Sequence, residues 1–201
     1  MKVFAASPTQ GSGVGALCLR LGVPVLLFVV TLAIVPWASA TTLAPWTLTD
    51  FVVNSNAAVV GTVSAVDVHW NEDQTLIQTY VTLDIQQQIA GGETLPSRIV
   101  LEEMGGRVGR LATRVEGVPV YRVGEQVFVF VERIDAKYRT LGFYQGKYTL
   151  ETDSATGEER FVQRVPAGAV YVVAPDGLAE PVAQSYGRDE LIAQVREIAG
   201  K

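Results

Sequence analysis

The stretch EEMGGRVGRLATR (102–114) gathers two adjacent carboxylates, a glycine pair, a third glycine and three arginines. Glycines beside cations are what a phosphate-cradling loop uses, because the N–H groups of a following helix then point at the anion. The spacing argues against that chemistry. Gly105-Gly106-Arg107-Val108-Gly109 fits neither G-x-G-x-x-G nor G-x-x-x-x-G-K-[ST], and RLATRVEGVPVYRVGEQV (110–127) has no helical period. Glu102 and Glu103 are neighbours on a strand, so they point to opposite faces and cannot act as a paired acid and base. What remains is a bend between strands, followed by a long loop carrying Arg107, Arg110, Arg114, Tyr121 and Arg122. Arginine and tyrosine often anchor interfaces, which makes these five the candidate partner-binding residues. The alternative is a set of arginines that are merely solvated.

Other residues able to do chemistry are sparse. His69 is the single histidine, too few for a multi-histidine zinc site, and no nucleophile stands near it in sequence. Asn71, Glu72 and Asp73 offer oxygens suited to calcium, but without EF-hand spacing or its turn glycine they read as a hairpin tip. Ser64, Ser97, Ser154 and Ser185 lack a G-x-S-x-G context. These observations predict no catalytic residues, no metal and no cofactor, and hence a protein that is not an enzyme.

The N-terminus predicts export. Lys2 and Arg20 are the only charges before residue 50; Val23–Val35 is apolar apart from Thr31, and Ala38-Ser39-Ala40 forms an A-x-A site. This is the pattern of a signal peptide covering residues 1–40 and cut between Ala40 and Thr41. The apolar run has 13 residues, short of the roughly 20 that span a bilayer. Cys18 precedes that run, so a lipoprotein site is not formed, and the mature chain has no cysteine. Its 161 residues suffice for one domain (41–201) with a core that needs no disulfide. Losing Lys2 and Arg20 takes the net charge from −5 to −7, which argues against nucleic acid and anionic lipid as partners. The expected destination is the periplasm or the outside, with another exported protein as partner and no membrane insertion after signal removal.

The elements that must position any site are mostly strands. TLTDFVVNSN (47–56) reads as a short helix with Thr49 as N-cap. IQTYVTLDIQQQI (77–89) alternates, with Ile77, Val81, Leu83, Ile85 and Ile89 on one face. AAVVGTVSAVDVHW (57–70) is a strand leaving the core, with a bulge expected at Gly61. SRIVLEEM (97–104) is another strand, and QVFVFVERI (126–134), apolar on both faces, belongs at the centre of a sheet. Further strands are read at 138–144, 146–152, 159–165 and 167–175. A C-terminal helix follows over 188–199, where Leu191, Val195 and Ile198 share a face and Gly200 serves as stop. The pattern predicts a mainly β domain, a small OB-like antiparallel barrel with a short N-terminal and a C-terminal helix; a β-sandwich is the second choice.

The blocks AAVVGTVSAV, TYVTLDIQQQIAGG, VPVYRVGEQVFVFVE and LGFYQGKY, after a short helix, resemble an uncharacterised class of exported bacterial β-barrel proteins. More distantly, residues 48–148 are similar to the netrin-like domain, the OB-type barrel of tissue inhibitors of metalloproteinases. In those inhibitors a disulfide-pinned N-terminal cysteine presents its amine and carbonyl to the protease zinc. This chain departs from that pattern: processing exposes Thr41, and only packing of Leu43, Pro45 and Trp46 is available to hold the terminus. Two functions follow as expectations: a non-catalytic exported protein-binding or structural module, and an inhibitor of a secreted protease, possibly a metalloprotease.

Overall fold

The computed structural model describes residues 42–166, 170–173, 177–179 and 183–200, and the expected signal peptide with its Ala40–Thr41 cut lies outside them. In chain order the strands are β1 (Thr42–Leu43), β2 (Ala57–Trp70), β3 (Ile77–Gly91), β4 (Arg98–Met104), β5 (Gly106–Val108), β6 (Leu111–Thr113) and β7 (Gln126–Ile134). They continue with β8 (Lys137–Thr140), β9 (Lys147–Thr152), β10 (Glu159–Val162), β11 (Val170–Val173), β12 (Gly177–Ala179) and β13 (Ser185–Gly187). Helix α1 (Leu48–Asn54) precedes β2 and α2 (Arg188–Ala199) follows β13. The chain is mainly β with a helix near each end, as the sequence predicts. Among the described residues no helix is long and apolar enough to cross a membrane.

The main sheet runs β13-β10-β9-β7-β2-β3-β4-β8, and β8 also pairs with β7. The pairings β7–β2, β2–β3, β3–β4, β4–β8 and β8–β7 therefore return to their start. The strand read as central, β7, is central. Its valines Val127, Val129 and Val131 enter one apolar cluster together with Val81, Leu83 and Leu101. Its phenylalanines Phe128 and Phe130 enter a second cluster with Phe51, Tyr148, Phe161 and Leu191. A residue period of two sends alternate side chains to opposite faces, so β7 serves both clusters at once.

Several expectations are corrected. The N-cap of α1 is Thr47, not Thr49. The Thr47 hydroxyl accepts from the Asp50 backbone N–H at 3.2 Å while the Asp50 carboxylate accepts from the Thr47 N–H at 2.8 Å, a capping box whose cap lies two residues before the one expected. Ile89 does not share the face of Val81 and Leu83 but packs in the second cluster, because register shifts at Ala58/Val59 and Val60/Gly61 break the alternation. The second lies opposite Gly61, where a bulge is expected, but its extra residue is Gln86 on β3; the extra residue on β2 itself is Ser64. The strand read over 138–144 stops at Thr140 and gives way to a 3-10 turn, Phe143–Gly146. Gly142 there has φ 68, and an added Cβ would lie 2.7 Å from a Phe51 ring carbon, so the chain turns where only glycine fits against α1. Gly105-Gly106 opens into a separate β5–β6 hairpin in place of a plain bend. The helix read over 188–199 is α2, with Leu191 and Val195 buried.

Candidate functional site

The glycine-rich stretch is built by backbone geometry. Gly105 and Gly106 have φ 90 and 133, and a Cβ on Gly106 would lie 2.4 Å from Val68 Cγ1. The Gly105 N–H donates to the Ile77 carbonyl at 3.0 Å, and the Thr79 hydroxyl donates to the Gly105 carbonyl at 2.8 Å. These bonds clamp the exit of β4 to β3 and throw the hairpin outward. Arg107 and Arg110 are exposed on it, and their side chains make no ion pair or hydrogen bond to other described residues. Arg114, also exposed, bonds Glu116 at 2.7 Å. Arg122 pairs with Glu125 at 3.6 Å in a turn whose Gly124 N–H donates to Val63 O. Val63 is five residues from Val68 along β2, about 16 Å, so the structure does not gather Arg122 with the hairpin arginines.

Tyr121 does not face outward as expected of an exposed loop residue. It is buried, with 6% of its surface exposed, and its ring lies under the Lys147 ammonium at 4.2 Å. Lys147 is buried too, bonded to Glu125 at 2.8 Å and to the Val120 carbonyl; burial pushes its pKa down and Glu125 partly restores it. The apolar residues that face outward from this loop are Val120 and Val123. The loop is therefore a fastened segment, held by a tyrosine and a lysine that composition alone reads as surface residues.

His69 is exposed and stacks on Tyr80 at 3.9 Å, with its Nδ1 2.8 Å from the Trp70 carbonyl. Asn71 closes the β2–β3 hairpin tip: its side-chain oxygen accepts from the N–H of Thr75 at 2.8 Å and of Leu76 at 3.0 Å. Among the described residues no group of three or more His, Cys, Asp or Glu is placed to hold a metal ion.

The residue that sequence reasoning passed over is Glu103. Period two places it on the β4 face of Ile99 and Leu101, and that face is the inner one, so the carboxyl is 5% exposed. Its Oε1 accepts from the Thr140 N–H at 3.0 Å and from the Thr140 hydroxyl at 2.5 Å. Because that hydroxyl has one proton to give, Tyr121 donates in turn to Thr140 Oγ1 at 2.6 Å. Burial pushes the Glu103 pKa up to about 7, against the lowering effect of the Thr140 bonds and Arg139. The signal was available in the sequence: a glutamate in register with two inward aliphatics.

Glu103 lines a cavity of about 270 Å³ between β4, β8 and the 3-10 turn. Leu76, Met104 and Ile134 at its rim are 54%, 38% and 43% exposed. Glu102 bonds Lys137 at 2.9 Å and Glu132 bonds Arg139 at 2.5 Å along its sides. Phe143, also lining it, has φ 59, a conformation that costs a bulky residue about 1–3 kcal/mol and tends to occur at functional sites. A carboxyl poised near neutrality can hold or release a proton. Of the other carboxylates that line the cavity, Glu102 and Glu132 are each engaged by a cation, whereas Asp135 has none among the described residues.

No family model, curated protein or solved structure matches this chain. The assignment of function therefore rests on the geometry above.

Proposed function

We propose that the chain is a non-catalytic exported protein-binding module, an OB-like barrel that meets its partner where the β5–β6 hairpin and the cavity adjoin. The observation that carries this reading is the continuity of the two features. Met104 lines the cavity, and the hairpin that holds the unpaired Arg107 and Arg110 begins two residues later. Together they offer exposed apolar side chains beside unpaired arginines, and arginine is enriched at binding hot spots. The circuit of strand pairings and the apolar cluster within it support the OB-like reading, in which loops and rims at one end of a barrel do the binding. A free basic hairpin on an acidic chain suits an acidic patch on the partner and makes association salt-sensitive.

The test is capture of the partner from the exported fraction by the wild type and by R107A/R110A/R114A. The triple variant should fold, since all three side chains are exposed, and should lose the partner. Undiminished capture by the folded variant moves the interface elsewhere.

A second reading, inhibition of a secreted protease, is favoured by one contact. Buried Gln145 accepts from the Trp46 N–H at 3.0 Å and donates to the Ala44 carbonyl at 3.0 Å, so exposed Ala44 and Pro45 are pinned without a disulfide. Trp46, packed 5.2 Å from Phe51, adds to the hold. Slowing of a metalloprotease by micromolar protein, abolished in Q145A, is the outcome this reading requires.

A further inference from the structure

We propose that the Glu103 cavity receives a basic side chain, an arginine or lysine presented by the protein partner; this rests on the binding reading above. Three observations converge. First, the cavity is lined by four acids, Glu102, Glu103, Glu132 and Asp135, and two cations, Lys137 and Arg139. Both cations are committed to Glu102 and Glu132, at 2.9 and 2.5 Å. Glu103 and Asp135 are left without a cationic partner among the described residues. Second, the Thr140 N–H and hydroxyl both go to Oε1 of Glu103, so Oε2 of this buried carboxyl is free of protein partners in the cavity it lines. That oxygen is open to the cavity and can accept from a donor brought into it, and a charged donor makes the strongest such bond. Third, the rim is apolar. Leu76, Met104 and Ile134 offer a wall along which the methylenes of a long side chain can lie while its tip reaches the carboxyl.

Competing occupants fit less well. An anion meets a net negative lining. A purely apolar side chain leaves Oε2 unpaired. A cofactor-sized ligand asks for roughly 300–1,000 Å³, above the 270 Å³ present. The groups that face Glu103 are Thr140 and Arg139 on β8, Glu132 on β7 and Tyr121 on the loop before it. None of them supplies a free cation, since Arg139 is held by Glu132.

The test is an NMR titration of isotope-labelled protein recovered from exporting cells. The probes are Nα-acetyl-arginine methylamide, Nα-acetyl-lysine methylamide, the neutral Nα-acetyl-norleucine methylamide and butylammonium. The arginine or lysine amide should shift backbone signals of residues 102–104 and 137–140 and bind about tenfold tighter than norleucine amide, the worth of one charge-assisted bond. E103Q should remove about that tenfold preference and leave norleucine binding unchanged. If E103Q does not fold, D135N, at an exposed position, should cut the preference by about twofold. Equal binding of norleucine amide, or an unaltered preference in E103Q or its substitute, overturns the proposal. Butylammonium binding tighter than both amino-acid amides makes the occupant a free amine and overturns it too. Failure here with the hairpin variant still losing its partner leaves the binding reading standing; success here with undiminished capture separates the cavity from that interface.

Discussion

The two faces of the β2–β7 pair differ in what closes them. One face is aromatic: Phe128 lies 5.2 Å from Phe130, 5.7 Å from Phe161 and 6.4 Å from Tyr148, and α1 and α2 bring Phe51, Leu191 and Val195 onto it. The other is aliphatic, built on Val59, Val81, Leu83 and Val129, and it leads to the polar chain Tyr121–Thr140–Glu103 beside an open cavity. Large rings and covering helices bury surface without asking for hydrogen bonds, so they stabilise. A buried carboxyl costs desolvation whenever it ionises, so it does the reverse at neutral and higher pH. On the binding reading proposed above, stability lies with the aromatic face and recognition with the other.

The strongest way to break this contrast is to empty the aromatic face. F128A should cost about 4 kcal/mol, whereas V129A, its neighbour on the aliphatic face, should cost about 2 kcal/mol, by urea unfolding. Equal losses would mean that the two faces share the load. The next effect comes from Glu103. Its folded pKa of about 7 lies above the 4.5 of the free side chain, so the folded state holds a proton that the unfolded state has lost. That stabilisation is present in full below pH 4.5 and is lost as pH rises through 7, a contribution of roughly 3 kcal/mol. Wild type should therefore lose stability relative to E103Q between pH 5 and 8, and parallel pH profiles would show that the carboxyl is not buried as described.

A smaller effect separates the two threonines at the start of α1: T47A should cost about 1 kcal/mol and T49A close to none, as thermal melts would show. The smallest belongs to the hairpin. R107A/R110A/R114A should change stability by less than about 0.5 kcal/mol, because surface side chains away from caps and cores contribute little. A larger loss would make the arginines structural and undercut their role in binding.

The elements were legible because their periods are strong. Alternation in 77–85, apolarity on both faces of 127–131 and the 3.6 period of 191–198 are local properties, and they reappear as β3, β7 and α2. What the sequence concealed is non-local. Tyr121 is buried because Lys147 and Thr140, 26 and 19 residues away, come to meet it. Glu103 becomes a site because Thr140, 37 residues on, engages one of its oxygens. Gly142 looks like a residue within a strand until Phe51 occupies the space beside it. The arginines were visible as a strip in the chain, yet clamps at Ile77 and Val63 set Arg107 and Arg122 apart. Linear order shows residue types, but not which of them share a partner.

The binding reading is tested most directly by mapping where the partner touches. A photo-crosslinking amino acid is placed in turn at Met104 on the cavity rim, at Arg110 on the hairpin and at Ala155 in the exposed turn between β9 and β10. Positions 104 and 110 should give the same covalent adduct in the exported fraction, and position 155 should give none. An adduct at 155 with none at 104 or 110 would contradict the account and place recognition at the β9–β10 turn.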